Sequence, residues 1–120
     1  HLRNSVYYSE IVMYVATSLG LDASIFDKPQ ILVSFDGHEQ KPYVQSVRRY
    51  NREDCLANLT SLGGTRVVTS PEEWIAAINA YLEDPQLDRA GRVKTIERHM
   101  HVLDGKAGER IADIVLNAIP

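Results

Sequence analysis

Continuous runs of apolar residues, rather than alternating apolar and polar positions, mark the strands that this sequence predicts. Ile11–Val15 and Ile31–Phe35 are runs of this kind, and Thr65–Thr69 is a shorter one. An uninterrupted apolar run is typical of a parallel strand that is covered on both faces. The pattern therefore predicts three buried parallel strands.

Segments with helical periodicity alternate with these strands. Ser70 and the Pro71-Glu72-Glu73 that follows it combine an N-cap serine, a proline at the first helical position and a glutamate at the third, so a helix begins there. The other helices are predicted over His1–Ser9, around Leu21 to Ile25, and over Arg52–Leu62, Arg89–Leu103 and Asp104–Ala118. The alternation predicts an α/β fold: a Rossmann-like parallel sheet with flanking helices. We expect residues 1–120 to form one such domain or part of one.

Composition and charge narrow the function classes. The chain has 44% hydrophobic and 24% charged residues, which excludes wholesale disorder. Its 13 basic and 16 acidic residues give a net charge of −3, so it lacks the basic excess of a nucleic-acid-binding protein. No apolar run approaches the roughly 20 residues that a transmembrane helix needs. The single Cys55 fits a reducing compartment. We therefore expect the protein in the cytoplasm, where the inner face of the membrane is one place it could act.

Metal and nucleophile chemistry find little support in the sequence. His99 and His101 are two residues apart on a predicted helix and point to different faces, so they do not form a zinc pair. No Asp-x-Asp pair is present, and a small buried side chain is the simpler role for Cys55 on the apolar face of its helix. We therefore expect no metal and no cofactor.

Two hydroxyl residues stand where the first strand turns into a helix. The first N–H groups of a helix lack intrahelical partners, and the helix dipole favours negative charge there. Thr17, Ser18 and Leu19 lie at this junction, at the carboxyl end of a parallel strand, where ligands of open α/β sheets bind. They are candidate anion-binding residues; the alternative is that one hydroxyl caps the helix. Asp22, one turn later, is either a ligand for sugar hydroxyls or a solvated helix residue.

A long polar and aromatic segment, Asp36–Asn51, is predicted to be a loop, and such loops often bind partners. Three arginines flank it: Arg48, Arg49 and Arg52. Guanidinium groups grip phosphate oxygens bidentately, so these residues are either phosphate ligands or an ordinary solvated cluster.

The stretch from Glu10 to Gly37, EIVMYVATSLGLDASIFDKPQILVSFDG, resembles the nucleotide-binding half of glycosyltransferases with the GT-B fold. The likeness is greatest to transferases of surface-polysaccharide and teichoic-acid type, including the CDP-glycerol glycerophosphotransferase group. Near the end of the chain, Asp104-Gly105-Lys106-Ala107 resembles the Asp-Gly-Lys segment that opens the final helix of those proteins.

The resemblance implies that Thr17, Ser18 and Leu19 hold the diphosphate of a nucleotide donor and that Asp22 holds its ribose. Two positions depart from the family pattern: the acidic residue is usually Glu rather than Asp22, and Asp27 replaces a glycine. UDP-sugar 2-epimerases share the fold but would show Ser-Gly-Gly before the helix, which favours transfer over epimerisation. The catalytic residues are unknown, because the general base of this fold comes from the other domain.

The same resemblance predicts that the chain is the second half of a GT-B C-terminal domain, a fragment of a longer transferase whose missing N-terminal part supplies the neighbouring strands. Alone it should bind its nucleotide-diphosphate donor weakly and be inactive. Two alternatives stay open: a non-catalytic nucleotide-binding module that pairs its first strand with a second copy, and a protein-interaction domain that uses the Asp36–Asn51 loop.

Overall fold

A parallel sheet of three short strands forms the centre of the protein. The computed structural model describes residues 1–52, 54–100 and 102–118. The strands are β1 (Val12–Tyr14), β2 (Gln30–Val33) and β3 (Arg66–Val68), in the spatial order β1-β2-β3. Both pairs are parallel, with Met13 opposite Ile31 and Leu32 opposite Val67. The predicted α/β class and the three parallel strands are confirmed.

The described residues contain six α-helices. They are α1 (Leu2–Tyr8), α2 (Leu19–Ile25), α3 (Asp54–Ser61), α4 (Pro71–Glu83), α5 (Arg89–His99) and α6 (Ala107–Ala118). Of these, α1 to α5 pack around the sheet or on one another. Helix α5 ends at His99 rather than at the predicted Leu103, because the backbone at Met100 is extended. The predicted loop after β2 contains two 3-10 helices, Tyr43–Gln45 and Val47–Arg52.

The two faces of the sheet carry separate apolar cores. On one face, buried side chains of β1 and β2 pack against α1, α2 and α3: Val6, Val12, Tyr14, Ala23, Leu32, Leu56 and Leu59. On the other face, Ile31 and Val68 pack against Ala77 and Tyr81 of α4. The connections that leave β1 and β2 therefore lead to helices on one face, and the connection that leaves β3 leads to the opposite face.

Strand β1 lies at the edge of the sheet in the described part of the chain. Val12 and Tyr14 are buried, but Met13 is 44% exposed and Val15, just beyond the strand, is 42% exposed. The prediction of burial on both faces is thus wrong at Met13 and Val15. Met13 is paired with Ile31 and points to the same face, where α4 packs on Ile31 of β2 and Val68 of β3 and leaves β1 largely uncovered. That further strands lie beside β1 stays a prediction.

Helix α6 begins and ends close to its predicted bounds. The side chain of Asp104 forms hydrogen bonds with residues at the start of this helix. The carboxylate of Asp104 accepts hydrogen bonds from the Lys106 N–H (2.9 Å) and from Arg110 Nη1 (2.7 Å). The apolar residues that predicted this helix are exposed in the described structure, and they include Ile111, Ile114, Val115 and Leu116.

A chain of buried hydrogen bonds joins β1, β2 and Thr65, the residue before β3, to α2. Ser24 Oγ donates to the Gly20 carbonyl (2.9 Å), and Gln30 Nε2 donates to Ser24 Oγ (2.8 Å). Thr65 Oγ1 donates to Gln30 Oε1 (2.8 Å), so the hydroxyl of Tyr14, 3.1 Å from Thr65 Oγ1, is the donor in that pair. Burial raises the pKa of Tyr14, which keeps this donor protonated. The network holds the first turn of α2 against the sheet.

Gly20 lets α2 approach this network. A Cβ at Gly20 would lie 2.4 Å from the hydroxyl oxygen of Tyr14 and 2.7 Å from Leu59 Cδ2. A side chain at this position would displace Tyr14, Leu59 or Gln30 from the buried network, so glycine is needed for this close packing.

Helix α5 is attached to the turn between α2 and β2 by ion pairs. Asp27 has φ 52, in the left-handed region that glycine adopts readily and aspartate tolerates. Its carboxylate accepts hydrogen bonds from Arg89 Nε (2.7 Å) and from Arg92 Nε (2.8 Å). Asp27 therefore occupies a backbone conformation that favours glycine, and its carboxylate anchors α5.

The carboxylates that bind arginine predict how stability depends on pH. Burial alone would raise the pKa values of Asp27 and Asp88, but hydrogen bonds from Arg92 and Arg89 to Asp27, and from Tyr81 and Arg66 to Asp88, outweigh it and lower both. A lowered folded-state pKa contributes stability above the unfolded value of about 3.9 and loses it as pH falls through the folded value.

We therefore expect the urea midpoint of unfolding to be constant from pH 7 to about 5 and to fall below about pH 4. The Asp27→Asn variant should lose part of this dependence, because its side chain does not ionise. A midpoint that is the same at pH 5 and at pH 2.5 would contradict the assignment.

Candidate functional site

The loops that follow the three strands meet at one edge of the sheet. β1 continues into Ala16–Ser18, β2 into Ser34–Asp36 and β3 into Thr69 and Ser70. Because the strands are parallel, all three carboxyl ends point the same way, toward the edge where α/β proteins bind ligands.

The turn between β1 and α2 presents two exposed hydroxyls. Ala16 has φ 45, in the left-handed region, and Thr17 and Ser18 are exposed. Ser18 occupies the N-cap position of α2, and its carbonyl accepts the Leu21 N–H (2.9 Å), but its side chain makes no capping bond. Within the described residues neither hydroxyl is used in a hydrogen bond, so both are available to a ligand. The alternative prediction, that Ser18 caps the helix with its side chain, is therefore wrong.

Leu19 and Asp22 differ in the groups that a ligand could contact. The Leu19 side chain is half-buried against the core, so this residue contributes only its backbone N–H to the turn. Asp22 is exposed in the first turn of α2, about 6 Å along the helix axis from Ser18. It lines a cavity of about 340 Å³ between α1 and α2 together with Arg3, whereas Ser18 lines a different one.

Two polar side chains from distant parts of the chain lie beside Ser18. Asn58 of α3 and His99 of α5 line, with Ser18, a cavity of about 100 Å³. The rest of the lining is apolar and consists of Leu21, Leu56 and Leu59. Sequence reasoning missed both polar residues at this site, because they reach it through the packing of α3 and α5 rather than through any local motif.

The arginines of the segment after β2 bind their own loop. Arg48 donates from Nε to Ser46 Oγ (2.8 Å) and from Nη2 to the Lys41 carbonyl (3.0 Å). The Arg49 guanidinium lies 4.5 Å from the centre of the Tyr50 ring and donates to the Tyr50 hydroxyl. Neither arginine is joined to the Thr17–Ser18 turn by a hydrogen bond, and the side chain of Arg52 lies outside the described residues.

Potential metal ligands were compared only within the described residues. In the described ranges no group of three or more His, Cys, Asp or Glu side chains is arranged to hold a metal ion. His101 and the side chain of Cys55 lie outside those ranges, so the predictions made for them are not compared with the structure.

Comparison with protein-family models, with curated proteins and with solved structures finds no match to this chain. None of the helices in the described ranges combines the length and the apolar character that crossing a bilayer requires. The functional conclusion therefore depends on the chemistry of the Thr17–Ser18 turn and on the sequence that surrounds it.

Proposed function

We propose that this chain is the donor-binding part of a GT-B glycosyltransferase or glycerophosphotransferase, which uses a nucleotide-activated sugar or polyol phosphate for cell-surface polysaccharide synthesis. The observation that carries the proposal is the exposed hydroxyl pair Thr17 and Ser18, which opens α2 at the carboxyl edge of a parallel sheet with neither hydroxyl engaged in the described structure.

The turn supplies what a departing nucleoside diphosphate needs. Negative charge grows on the leaving phosphate as the bond to the transferred group breaks, and fixed donors stabilise that charge without reorganising. The donors here are the hydroxyls of Thr17 and Ser18 and the N–H groups of Leu19 and Gly20, which begin α2 and have no intrahelical acceptor. Asp22 would accept hydrogen bonds from the ribose hydroxyls.

The rigidity of the turn supports this role. Gly20 is packed against Tyr14 and Leu59, and the buried network that begins at its carbonyl reaches β1, β2 and Thr65, the residue before β3. The backbone N–H groups of Leu19 and Gly20, which this packing holds in place, lose little conformational entropy when an anion binds. The stretch that resembles the transferases, Glu10–Gly37, contains β1, α2 and β2, which form and support the turn.

Removal of the two hydroxyls should weaken nucleotide binding. We expect the Thr17→Ala/Ser18→Ala variant to bind CDP, UDP or GDP, whichever the wild type prefers, at least tenfold more weakly by isothermal titration calorimetry, because two hydrogen bonds to a charged ligand are lost. The matched control is Thr60→Ala/Ser61→Ala, an adjacent hydroxyl pair on α3 whose side chains donate to carbonyls of their own helix. Equal affinity in both double variants would refute the assignment.

A further inference from the structure

A second feature of the carboxyl edge is a crevice of about 250 Å³ between the ends of β2 and β3. We call it the edge crevice, and its lining is Phe35–Gln40, Arg48 and Thr69–Pro71. The connection that leaves β2 leads to α3 on one face, and the connection that leaves β3 leads to α4 on the other. Where neighbouring connections diverge in this way, a parallel sheet opens a crevice that binds ligands.

The wall of the edge crevice is held in place before any ligand arrives. The Asp36 side chain is 3% exposed, and its carboxylate accepts the N–H groups of Val47 (2.9 Å) and Lys41 (3.2 Å). Burial alone would raise the pKa of Asp36, but these hydrogen bonds and nearby Arg48 lower it, so the carboxylate stays charged and keeps both bonds. Arg48 donates to the Lys41 carbonyl, which closes the loop from the other side.

The polar groups of the edge crevice suit hydroxyls better than phosphate. Asp36 offsets the charge of Arg48, 3.8 Å away, and Glu39 adds a further negative charge, so the lining has no positive excess. Glu39 and Gln40 are exposed, and their side chains make no hydrogen bond with the described residues; nor does Arg48 Nη1. A hydroxyl both donates and accepts, so it satisfies carboxylate, amide and guanidinium groups together.

The size and position of the edge crevice limit what it holds. Its volume equals about eight water molecules at roughly 30 Å³ each, and it is smaller than the roughly 300 Å³ at which sites for drug-sized ligands begin. One sugar ring or a glycerol unit fits, whereas a nucleotide does not. Adjacent strands lie about 4.8 Å apart, so the crevice is about 5–10 Å across the sheet from the end of β1, the strand that leads into the Thr17–Ser18 turn.

We propose that the edge crevice binds one hydroxyl-rich unit, a sugar ring or a glycerol-sized polyol, through Glu39, Gln40 and Arg48. The unit is the group that the donor carries beyond its diphosphate, an identification that rests on the proposed function.

An amide NMR titration of the 120-residue protein tests this inference. The probes are CDP, CDP-glycerol, UDP, UDP-glucose, glycerol and glucose. We expect CDP-glycerol or UDP-glucose to shift the amides of residues 36–40 and 69–70, beyond the shifts that the corresponding nucleoside diphosphate causes at equal saturation. The Glu39→Ala/Gln40→Ala variant should bind that ligand at least tenfold more weakly and bind CDP and UDP within twofold of wild type.

A matched control is Gln45→Ala/Glu72→Ala, which removes the same two residue types from exposed positions outside the edge crevice and should change nothing. If residues 16–22 respond to nucleotides but the crevice amides respond to no sugar-bearing or polyol-bearing probe, the crevice inference is overturned and the proposed function stands. If the crevice responds to such probes and residues 16–22 do not, binding of a hydroxyl-rich unit in the crevice stands, but the proposed function fails and with it the identification of that unit as part of the donor. No response at either place overturns both.

Discussion

Gly91→Ala is expected to lower the free energy of unfolding by about 3–5 kcal/mol, or to abolish cooperative folding, because α5 crosses the Gly63–Gly64 turn without space for a side chain. A Cβ at Gly91 would lie 2.1 Å from the carbonyl carbon of Gly63 and 2.2 Å from Gly64 N. These are backbone atoms, which cannot rotate away as the end of a side chain can. The helix would have to withdraw, and Arg92, next in the chain, would leave its buried position.

Gly108→Ala provides the control, since Gly108 also lies in the first turn of a helix but has no atom within 4 Å of an added Cβ. That variant should be neutral or more stable by about 0.5–1 kcal/mol, the difference in helix propensity between the two residues. Urea unfolding followed by circular dichroism measures both. A Gly91→Ala variant within about 0.5 kcal/mol of wild type would show that α5 does not pack as described.

Arg92→Met is expected to cost about 3 kcal/mol, because three acceptors lose their donor at once. The Arg92 side chain is fully buried, and it donates to Asp27 Oδ1 (2.8 Å) and to the carbonyls of Leu87 (2.7 Å) and Pro85 (3.0 Å). Methionine has a similar length and no donor, so it fills much of the space and leaves these oxygens without the partner.

Arg89→Met tests whether burial is the reason. Arg89 binds the other oxygen of the same Asp27 carboxylate at 2.7 Å, but its side chain is 57% exposed. An exposed ion pair of this kind contributes less than about 1 kcal/mol, so Arg89→Met should cost correspondingly little. Equal costs for the two variants would mean that Arg92 is solvated in solution, contrary to the structure.

Local chemistry explains which parts of the fold were predictable. The start of α4 was predicted from Ser70 and Glu73, and in the structure Ser70 Oγ accepts the Glu73 N–H at 3.2 Å, a bond that depends only on residues close in sequence. Exposure of Met13 depends instead on where α4 packs, which is on Ile31 of β2 and Val68 of β3. The position of a helix on the sheet is set by the whole chain, so a run of apolar residues predicts a strand without predicting what covers each of its faces.

In the candidate site, likewise, some residues were indicated by a local sequence pattern and others were brought together only by packing. Thr17 and Ser18 were proposed as ligands because a strand followed at once by hydroxyls and a helix is a local pattern; the structure places both, exposed, between β1 and α2. Asn58 and His99 reach Ser18 only through helix packing. The edge crevice likewise arises because the connections after β2 and β3 go to opposite faces, a property of the topology that no short motif contains.

The central claim is that the start of α2 binds a diphosphate, and amide NMR of the protein during titration with CDP and UDP tests it most directly. The predicted result is a set of shifts centred on residues 16–22, with a millimolar dissociation constant, that disappears in Thr17→Ala/Ser18→Ala while the rest of the spectrum keeps its folded pattern. Shifts that leave residues 16–22 unmoved at millimolar nucleotide, or that persist unchanged in the double variant, would contradict it.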